Sequence, residues 1–486
     1  MSRIRGKTCF LGIDQGSSLT KVLLVQEDGE VLFIASRKVK TFRQGNTLSQ
    51  SPQGIYASVM KGLKEVLKYA DENGLSISGG GIATQRSSFL YFDRSGNPLT
   101  QIISWRDVSS VKELIRFRKE SSIIRDVTGL PLTPYYSATK MRRHIPGGKK
   151  EILFGTVATY LLYRLTGGRV FAIDPGNAQR TLLFDIRTLE FSPTLMDLFE
   201  IPGYVRFPEI RDTSAPFGMV KMGRWRFPIQ SMNGDQQAAF IASSGWRSGW
   251  RLINLGTGGF MLHPVGPSPK DGDGLIITLS HAMKGKAFLM MEGTVNAVGD
   301  ALNFFEGLSG KFRPDSELPG KNLPVSVYGL QGTGAPLWDE EFPASTSGMG
   351  PGTRRVDLLW STLFGALSFF RLIHEKINLC GGEAPSQVIS GGLSHIIGVG
   401  EFLRDLTGVD TYISKAGDLT GIGAALTGTG LDPSRDIIIR KRSLSKVRGR
   451  GYVEAEKYFQ RWKKLYEYAK TCQLDGVISN GSRGRG

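Results

Sequence analysis

The chain has 486 residues, 40% hydrophobic and 22% charged, which excludes a disordered or fibrous protein and is too long for one ordinary core, so two domains are expected. Lys and Arg number 61 against 44 Asp and Glu, a net charge of +17 that favours anionic partners such as nucleotides and sugar phosphates. No run reaches the ~18 apolar residues of a membrane span. No apolar signal core follows Met1–Lys7, and Cys9, Cys380 and Cys472 form neither a disulfide framework nor a metal spacing, so a cytoplasmic protein is expected.

Along the chain, Thr8–Ile13 reads as a strand, Asp14-Gln15-Gly16-Ser17-Ser18 as a glycine turn and Leu19–Gln26 as the returning strand. Asp28-Gly29 turns the chain into a third strand, Val31–Val39. Ile55, Val59, Leu63, Val66 and Leu67 recur at helical spacing, which predicts an amphipathic helix over Ile55–Ala70. A strand through Gly81–Thr84 runs into Gln85-Arg86-Ser87-Ser88, and residues 108–200 read as largely helical, with an irregular insert around Asp174-Pro175-Gly176-Asn177. The second half repeats the opening: strand Arg251–Leu255, turn Gly256-Thr257-Gly258-Gly259, then Phe260–His263, ended by Pro264. Leu358–Phe370 reads as a buried helix, Val388–Ser390 as a buried strand entering the turn Gly391-Gly392, and Thr420–Leu426 as a last small-residue helix. Beyond residue 432 the chain is polar and basic, expected to be peripheral. Tyr452–Tyr468 has the pattern of an amphipathic helix, and the terminal Gly481–Gly486 reads as disordered. The basic stretch Arg440, Lys441, Arg442, Lys446, Arg448 and Arg450 is expected to be a solvated tail rather than a nucleic-acid surface.

Backbone donors in a turn such as Asp14–Ser18 bind phosphate oxygens, its acid can hold Mg²⁺ directly or through water, and Lys21 adds a cation on the returning strand. An ordinary hairpin with an Asx turn explains that segment alone equally well. The matching turn at Gly256-Thr257-Gly258 favours a nucleotide held between two turns. No Gly-x-x-x-x-Gly-Lys-Ser/Thr loop is present, which excludes a P-loop kinase, and no complete Gly-x-Gly-x-x-Gly follows an early strand. Between the two turns lies Gly234-Asp235-Gln236-Gln237-Ala238-Ala239, where Asp235 opens a helix. A helix cap is the plainer role. As a general base, Asp235 accepts the proton of a hydroxyl attacking a γ-phosphorus.

These segments, together with Thr84-Gln85-Arg86, Ser104-Trp105-Arg106-Asp107, Pro134–Lys140, Asn177–Asp185 and Gly334-Ala335-Pro336-Leu337-Trp338, occur in an order and spacing that resembles the FGGY carbohydrate kinase family, and within it the glycerol kinases. The likeness spans roughly residues 8–430. It implies an α/β fold of two actin-like (ribonuclease-H-like) domains flanking a catalytic cleft, and an ATP- and Mg²⁺-dependent phosphorylation of a small polyol or sugar. By the same resemblance, Arg86, Ser87, Trp105, Tyr135, Asp235 and Gln236 occupy the polyol site, with Asp235 as the base. Asp14 sits at the metal, Gly16, Ser17, Ser18 and Lys21 near the phosphates, and Gly256, Thr257, Gly258, Gly391 and Gly392 at the nucleotide. Trp105 offers an apolar wall to a carbon chain, and Arg86 and Gln236 offer donors to hydroxyls, although aromatic residues of this kind also serve as packing.

Two departures bear on the substrate. Ser87 stands where glycerol kinases carry a glutamate that accepts from polyol hydroxyls, and losing a charged partner costs about 1.5–3 kcal/mol of binding unless another group replaces it. An acceptor larger than glycerol, such as a tetritol, pentitol or ketose, is therefore in view. Leu393-Ser394-His395-Ile396 lacks the asparagine often found near the adenine. The expected division is residues 7–230 on the substrate and metal side, 231–431 on the nucleotide side, and 432–486 as a partly disordered basic extension. A homodimer or higher homo-oligomer is compatible with the family. The alternative reading is a catalytically impaired, actin-like ATP-binding regulatory protein.

Overall fold

The computed structural model describes residues 8–482 apart from 46, 149, 244–248, 268–271, 273, 321, 331, 340, 430–443 and 450. The chain is mixed α/β and divides into two compact units, one from the described residues of 1–248, 277–290 and 418–440, the other from those of 249–276, 291–417 and 441–486.

The first unit is built on a six-stranded sheet in the spatial order Ser214–Met222, Trp225–Gly234, Ser76–Thr84, Thr8–Gln15, Leu19–Gln26, Val31–Lys38. The last three strands form the expected antiparallel meander. Thr8–Gln15, Ser76–Thr84 and Trp225–Gly234 are parallel neighbours, with Gln15 opposite Thr84 and Thr84 opposite Gly234, so all three end at one edge. In open parallel α/β sheets, ligands bind beyond such carboxyl ends. The predicted helix is Pro52–Glu72, capped by Ser51 Oγ accepting from Gly54 N, and it buries Ile55, Val59, Leu63 and Val66.

Helix Leu419–Thr427 lies against this sheet at backbone contact. A Cβ on Gly12 would sit 2.0 Å from Gly421 O, one on Gly81 2.0 Å from Ala424 O, and one on Gly423 2.0 Å from Ala238 O. Ala83, Ala238 and Ala424 form a fully buried cluster among them, and Ser231 Oγ donates to Ala424 O at 2.9 Å. The small residues that marked this helix in the sequence are therefore required by the distance between backbones.

The second unit carries the same plan. Arg251–Leu255 pairs antiparallel with Gly259–Val265 and parallel with Gln387–Ser390, which continues to Thr411–Ser414 and the antiparallel Leu444–Lys446. Helix Arg355–Leu379 is long and apolar enough to cross a membrane by length and composition, but 83% of its most apolar window is buried inside the structure, as a core helix is.

Several expectations need correction. The returning strand continues through Pro264 to Val265, because its pairing with Arg251–Leu255 stops at Leu262 and asks no N–H of Pro264. Residues 108–200 are not mainly helical. Val111–Glu120 is a 3₁₀ segment with no buried residue, and Ile152–Thr156 is a fully buried strand of a second six-stranded sheet in the first unit. A short, wholly apolar run is not assignable by periodicity, since helix and strand bury it equally. The insert at Asp174 is a cap: its Oδ2 accepts from Asn177 N at 3.1 Å at the start of helix Pro175–Gln179. Beyond residue 444 the chain is integral to the second unit. The amphipathic helix is Ala455–Ser482, and its Trp462 is fully buried, stacked on Tyr466 at 5.3 Å and edge-on to Phe369 at 4.9 Å. Arg440, Lys441, Arg442 and Arg450 of the basic stretch and residues 483–486 lie outside the described residues, whereas Lys446 pairs with Asp410 at 2.7 Å.

Candidate active site

The three parallel strands of the first unit deliver three charged groups to one edge. Asp14 is the penultimate residue of Thr8–Gln15, Arg86 follows Ser76–Thr84 by two positions, and Asp235 follows Trp225–Gly234 directly. Arg86 Nε stands 3.3 Å from Asp235 Oδ1, and Arg86 Nη1 donates to Gln237 Oε1 at 3.5 Å. Gln237 is itself anchored by donating Nε2 to Leu279 O at 3.1 Å. Asp235 is the first residue of helix Asp235–Ser243 and accepts from Gln236 N at 2.8 Å, yet its side chain remains 28% exposed. Its carboxylate is thus oriented by a guanidinium and a backbone donor while open to a ligand. Capping and proton acceptance are compatible roles for it.

Asp14 is buried opposite Lys21 in the hairpin register. Lys21 Nζ lies 3.8 Å from Asp14 Oδ2 and 2.6 Å from Asp418 Oδ2. Asp418 also caps helix Leu419–Thr427 by accepting from Gly421 N at 3.0 Å. Burial, then repulsion from Asp418 and a smaller repulsion from Asp235, push the Asp14 carboxyl well above the usual range, and Lys21 offsets only part of this. Burial alone would lower Lys21, but Asp418 and Asp14 outweigh it and hold its ammonium above the ordinary value. Asp14 and Asp418 share the single Lys21 ammonium, which leaves negative charge that a hard cation would neutralise, and the donors are the carboxylate oxygens such a cation prefers. Among the described residues no three His, Cys, Asp or Glu side chains converge as a ready cage. That suits Mg²⁺, which usually keeps waters and shares phosphate oxygens with one or two carboxylates.

One consequence is measurable. Because the fold disfavours the ionised Asp14, a penalty that grows as pH rises above the ordinary carboxyl pKa and is complete above the raised one, Asp14→Asn is expected to raise the Tm of the nucleotide-free protein at neutral pH while lowering kcat. Differential scanning fluorimetry with steady-state kinetics checks both, and a lower Tm contradicts the charge argument.

The aromatic pair lies in the same unit. Trp105 and Tyr135 are half-buried with ring centroids 6.2 Å apart. Trp105 Nε1 donates to Ser17 Oγ at 2.8 Å, Ser17 Oγ contacts Gln85 Oε1 at 3.3 Å, and Gln85 Nε2 donates to Gln15 Oε1 and Gln50 Oε1 at 3.0 and 2.9 Å. The Ser17 hydroxyl is therefore turned toward Trp105 and ties the first glycine turn to the aromatic wall, while Gly16 is half-buried and Ser18 is exposed. Ser87 is buried with φ at 65°, a strained conformation for a residue with a side chain, and its carbonyl accepts from Ser137 Oγ at 2.9 Å. Gln236 is buried beside Asp235.

In the second unit, Gly256-Thr257-Gly258 and Gly391-Gly392 come together at the ends of adjacent parallel strands. Gly391 has φ at 93°, and a Cβ there would sit 2.2 Å from Leu255 O, so only glycine fits. The carbonyls of Gly256 and Thr257 accept from Gly299 N and Asp300 N at 3.1 and 3.0 Å, which fixes the turn over the start of helix Gly299–Ser309. Thr257 and Gly392 are exposed.

Sequence reasoning missed Asp418 and Gln237. Asp418 carried a readable signal, an acid immediately before a helix that opens Leu419-Thr420-Gly421. Gln237 carried none, because its part depends on the approach of Arg86, distant in sequence.

Residues 9–242 match the N-terminal domain, and residues 252–429 the C-terminal domain, of the FGGY family of carbohydrate kinases. A glycerol kinase of Thermus brockianus is 31% identical over 96% of this chain and 99% of its own. Among solved structures, Plasmodium falciparum glycerol kinase with ADP aligns at a TM-score of 0.84 with 23% identity, over 95% of this chain and 98% of that one. A ligand-bound xylulose kinase of Lactobacillus acidophilus aligns at 0.79 with 17% identity, over 97% of this chain and 98% of that one. The two-domain actin-like fold expected from the sequence is the fold these structures share.

Proposed function

The chain belongs to the FGGY family of carbohydrate kinases, phosphotransferases that act on alcohol groups, and from that premise we propose that it transfers the γ-phosphoryl group of ATP to a primary hydroxyl of a small polyol or sugar, with Asp235 as general base. The observation that carries this reading is the Arg86–Asp235 ion pair at the carboxyl ends of three parallel strands, with the Asp235 side chain still partly open. In the reaction, Asp235 accepts the proton of the acceptor hydroxyl as that oxygen bonds to the γ-phosphorus. The bond from phosphorus to the bridging oxygen breaks, and ADP leaves. Arg86 orients the base and donates to acceptor hydroxyls, and Trp105 and Tyr135 line the carbon chain. Gly16, Ser17, Ser18 and Lys21 are assigned to the phosphates, and Gly256, Thr257, Gly258, Gly391 and Gly392 to the nucleotide. Asp14, with Asp418 beside it, would hold Mg²⁺, directly or through water. Bound there, the ion supplies charge neutralisation at the transferring phosphoryl oxygens.

The acceptor follows from Ser87. A short uncharged side chain stands where the resemblance places a carboxylate in glycerol kinases, so a tetritol, pentitol or pentulose is proposed as acceptor beside glycerol. A coupled ADP-release assay over glycerol, tetritols, pentitols and pentuloses tests the proposal. Acceptor-stimulated ADP release with at least one of them is expected. Protein that binds ATP yet phosphorylates none of them would instead support a nucleotide-switched regulatory protein.

A further inference from the structure

Lys140 is fully buried on the short helix Ala138–His144, and its Nζ donates to four backbone carbonyls: Ser104 at 3.0 Å, Asp107 at 3.2 Å, Trp105 at 3.3 Å and Tyr135 at 3.5 Å. Three belong to the loop that presents Trp105 and the fourth to Tyr135 itself. An ammonium has three protons, so the four acceptors share them around a single point. The rest of the loop is secured separately, with Trp105 N donating to Ser88 Oγ at 2.9 Å and Leu48 N to Asp107 Oδ2 at 2.7 Å. Neither of those bonds reaches Tyr135. Among the described contacts, the Lys140 ammonium links the main chains of the two aromatic residues directly.

We propose that Lys140 is a positioning residue for the phosphoryl acceptor, a buried cation that fixes the separation of Trp105 and Tyr135 by gathering their backbone carbonyls around one nitrogen. The inference rests on the reading of those two residues as the acceptor wall. Burying an ammonium among neutral acceptors is costly. Burial lowers Lys140 to about 7, with Asp107 pulling it back up. A Met of similar length would fill the volume without that cost, so the buried amine is explained by the carbonyls it gathers. Misplacing a substrate-positioning group by about 1 Å can cost ~10²-fold in rate, so losing the donor common to the two carbonyls is expected to show in the acceptor kinetics.

The test uses the full chain with glycerol and D-xylulose as acceptor probes, comparing wild type, Lys140→Met, Lys140→Arg and Trp105→Ala by steady-state kinetics and thermal melting. Lys140→Met is expected to raise the acceptor KM by about 10-fold or more while the ATP KM stays within about two-fold. Lys140→Arg keeps the charge but cannot seat one nitrogen among four carbonyls, so its acceptor KM rises less. A folded Lys140→Met protein with an unchanged acceptor KM, or with both KM values raised equally, overturns the proposal. A merely structural lysine would lower Tm and the active fraction and leave both KM values alone. If Lys140→Met does not fold, Lys140→Arg carries the test: the same split supports the proposal and an unchanged acceptor KM overturns it. Trp105→Ala separates the two readings. If it leaves the acceptor KM at the wild-type value, the acceptor wall itself is misassigned. If it raises that KM while Lys140→Met does not, only the role of Lys140 fails.

Discussion

Gly423→Ala is expected to destabilise the first unit by about 1–3 kcal/mol or more and to lower kcat in whatever fraction stays folded. In an isolated helix the same change would help by about 1 kcal/mol, since Ala is the better helix former. Here the new Cβ would lie 2.0 Å from Ala238 O and 2.6 Å from Ala238 C, backbone atoms that no rotamer change can move aside. The clash therefore outweighs propensity. Relief requires helix Leu419–Thr427 and helix Asp235–Ser243 to separate. The first carries Asp418 just before it and the second begins at Asp235, so the strain falls on the charged site as well as on stability. For units of this size Tm moves by roughly 2–4 °C per kcal/mol. Gly203→Ala serves as the control, because nothing lies within 4 Å of a Cβ there. Thermal melting of the two variants checks the argument, and a Gly423→Ala protein that melts with wild type contradicts it.

That contact explains why part of the architecture was legible in advance and part was not. The meander, the repeated strand–turn–strand units and the helix at residue 55 announce themselves through local signals: alternation, Gly-rich turns and a 3.6-residue period. The small-residue character of Leu419–Thr427 was visible too, but the reason for it, backbone contact with Gly12, Gly81 and Ala238, depends on long-range pairing. The strand Ile152–Thr156 was hidden because every residue in it is buried, which erases the alternation that marks a strand. The helix Ala455–Ser482 was recognised as amphipathic, yet net basic composition disguised how much of the second unit's core it supplies through Trp462 and Tyr458. For the site, Asp14, Arg86 and Asp235 were readable because each lies at or just beyond the end of a strand, in a polar stretch. The charge balance at Asp14 was not, because Asp418 arrives from about 400 residues later in the chain. Lys140 ends the segment Pro134–Lys140 that carries part of the resemblance, but its role was hidden, because nothing in the sequence distinguishes a lysine that gathers carbonyls from one on a solvated face.

Asp235→Asn carries the largest expected effect on chemistry. The amide is isosteric, still accepts from Gln236 N through its oxygen and still meets Arg86 with that oxygen, so helix Asp235–Ser243 and the pocket wall are retained. What disappears is a group able to take the acceptor's proton as the phosphorus is attacked. Loss of a general base costs ~10²–10⁴ in rate. Because that interaction is made in the transition state rather than on binding, kcat falls while the KM for ATP is preserved. On the proposed reading the two glycine turns supply nucleotide affinity, and the substitution leaves both untouched. A fall in ATP affinity to match the fall in kcat would point to a folding defect instead.

The most direct measurement is ³¹P NMR of the wild type and Asp235→Asn with ATP, Mg²⁺ and the best acceptor of the panel, alongside calorimetric titration of ATP into both. The account predicts a phosphate monoester growing in step with ADP for the wild type. It predicts neither product on the same timescale for Asp235→Asn, with ATP binding retained by both. Monoester formed by Asp235→Asn at near the wild-type rate would contradict the assignment of the base and, with it, this reading of the site.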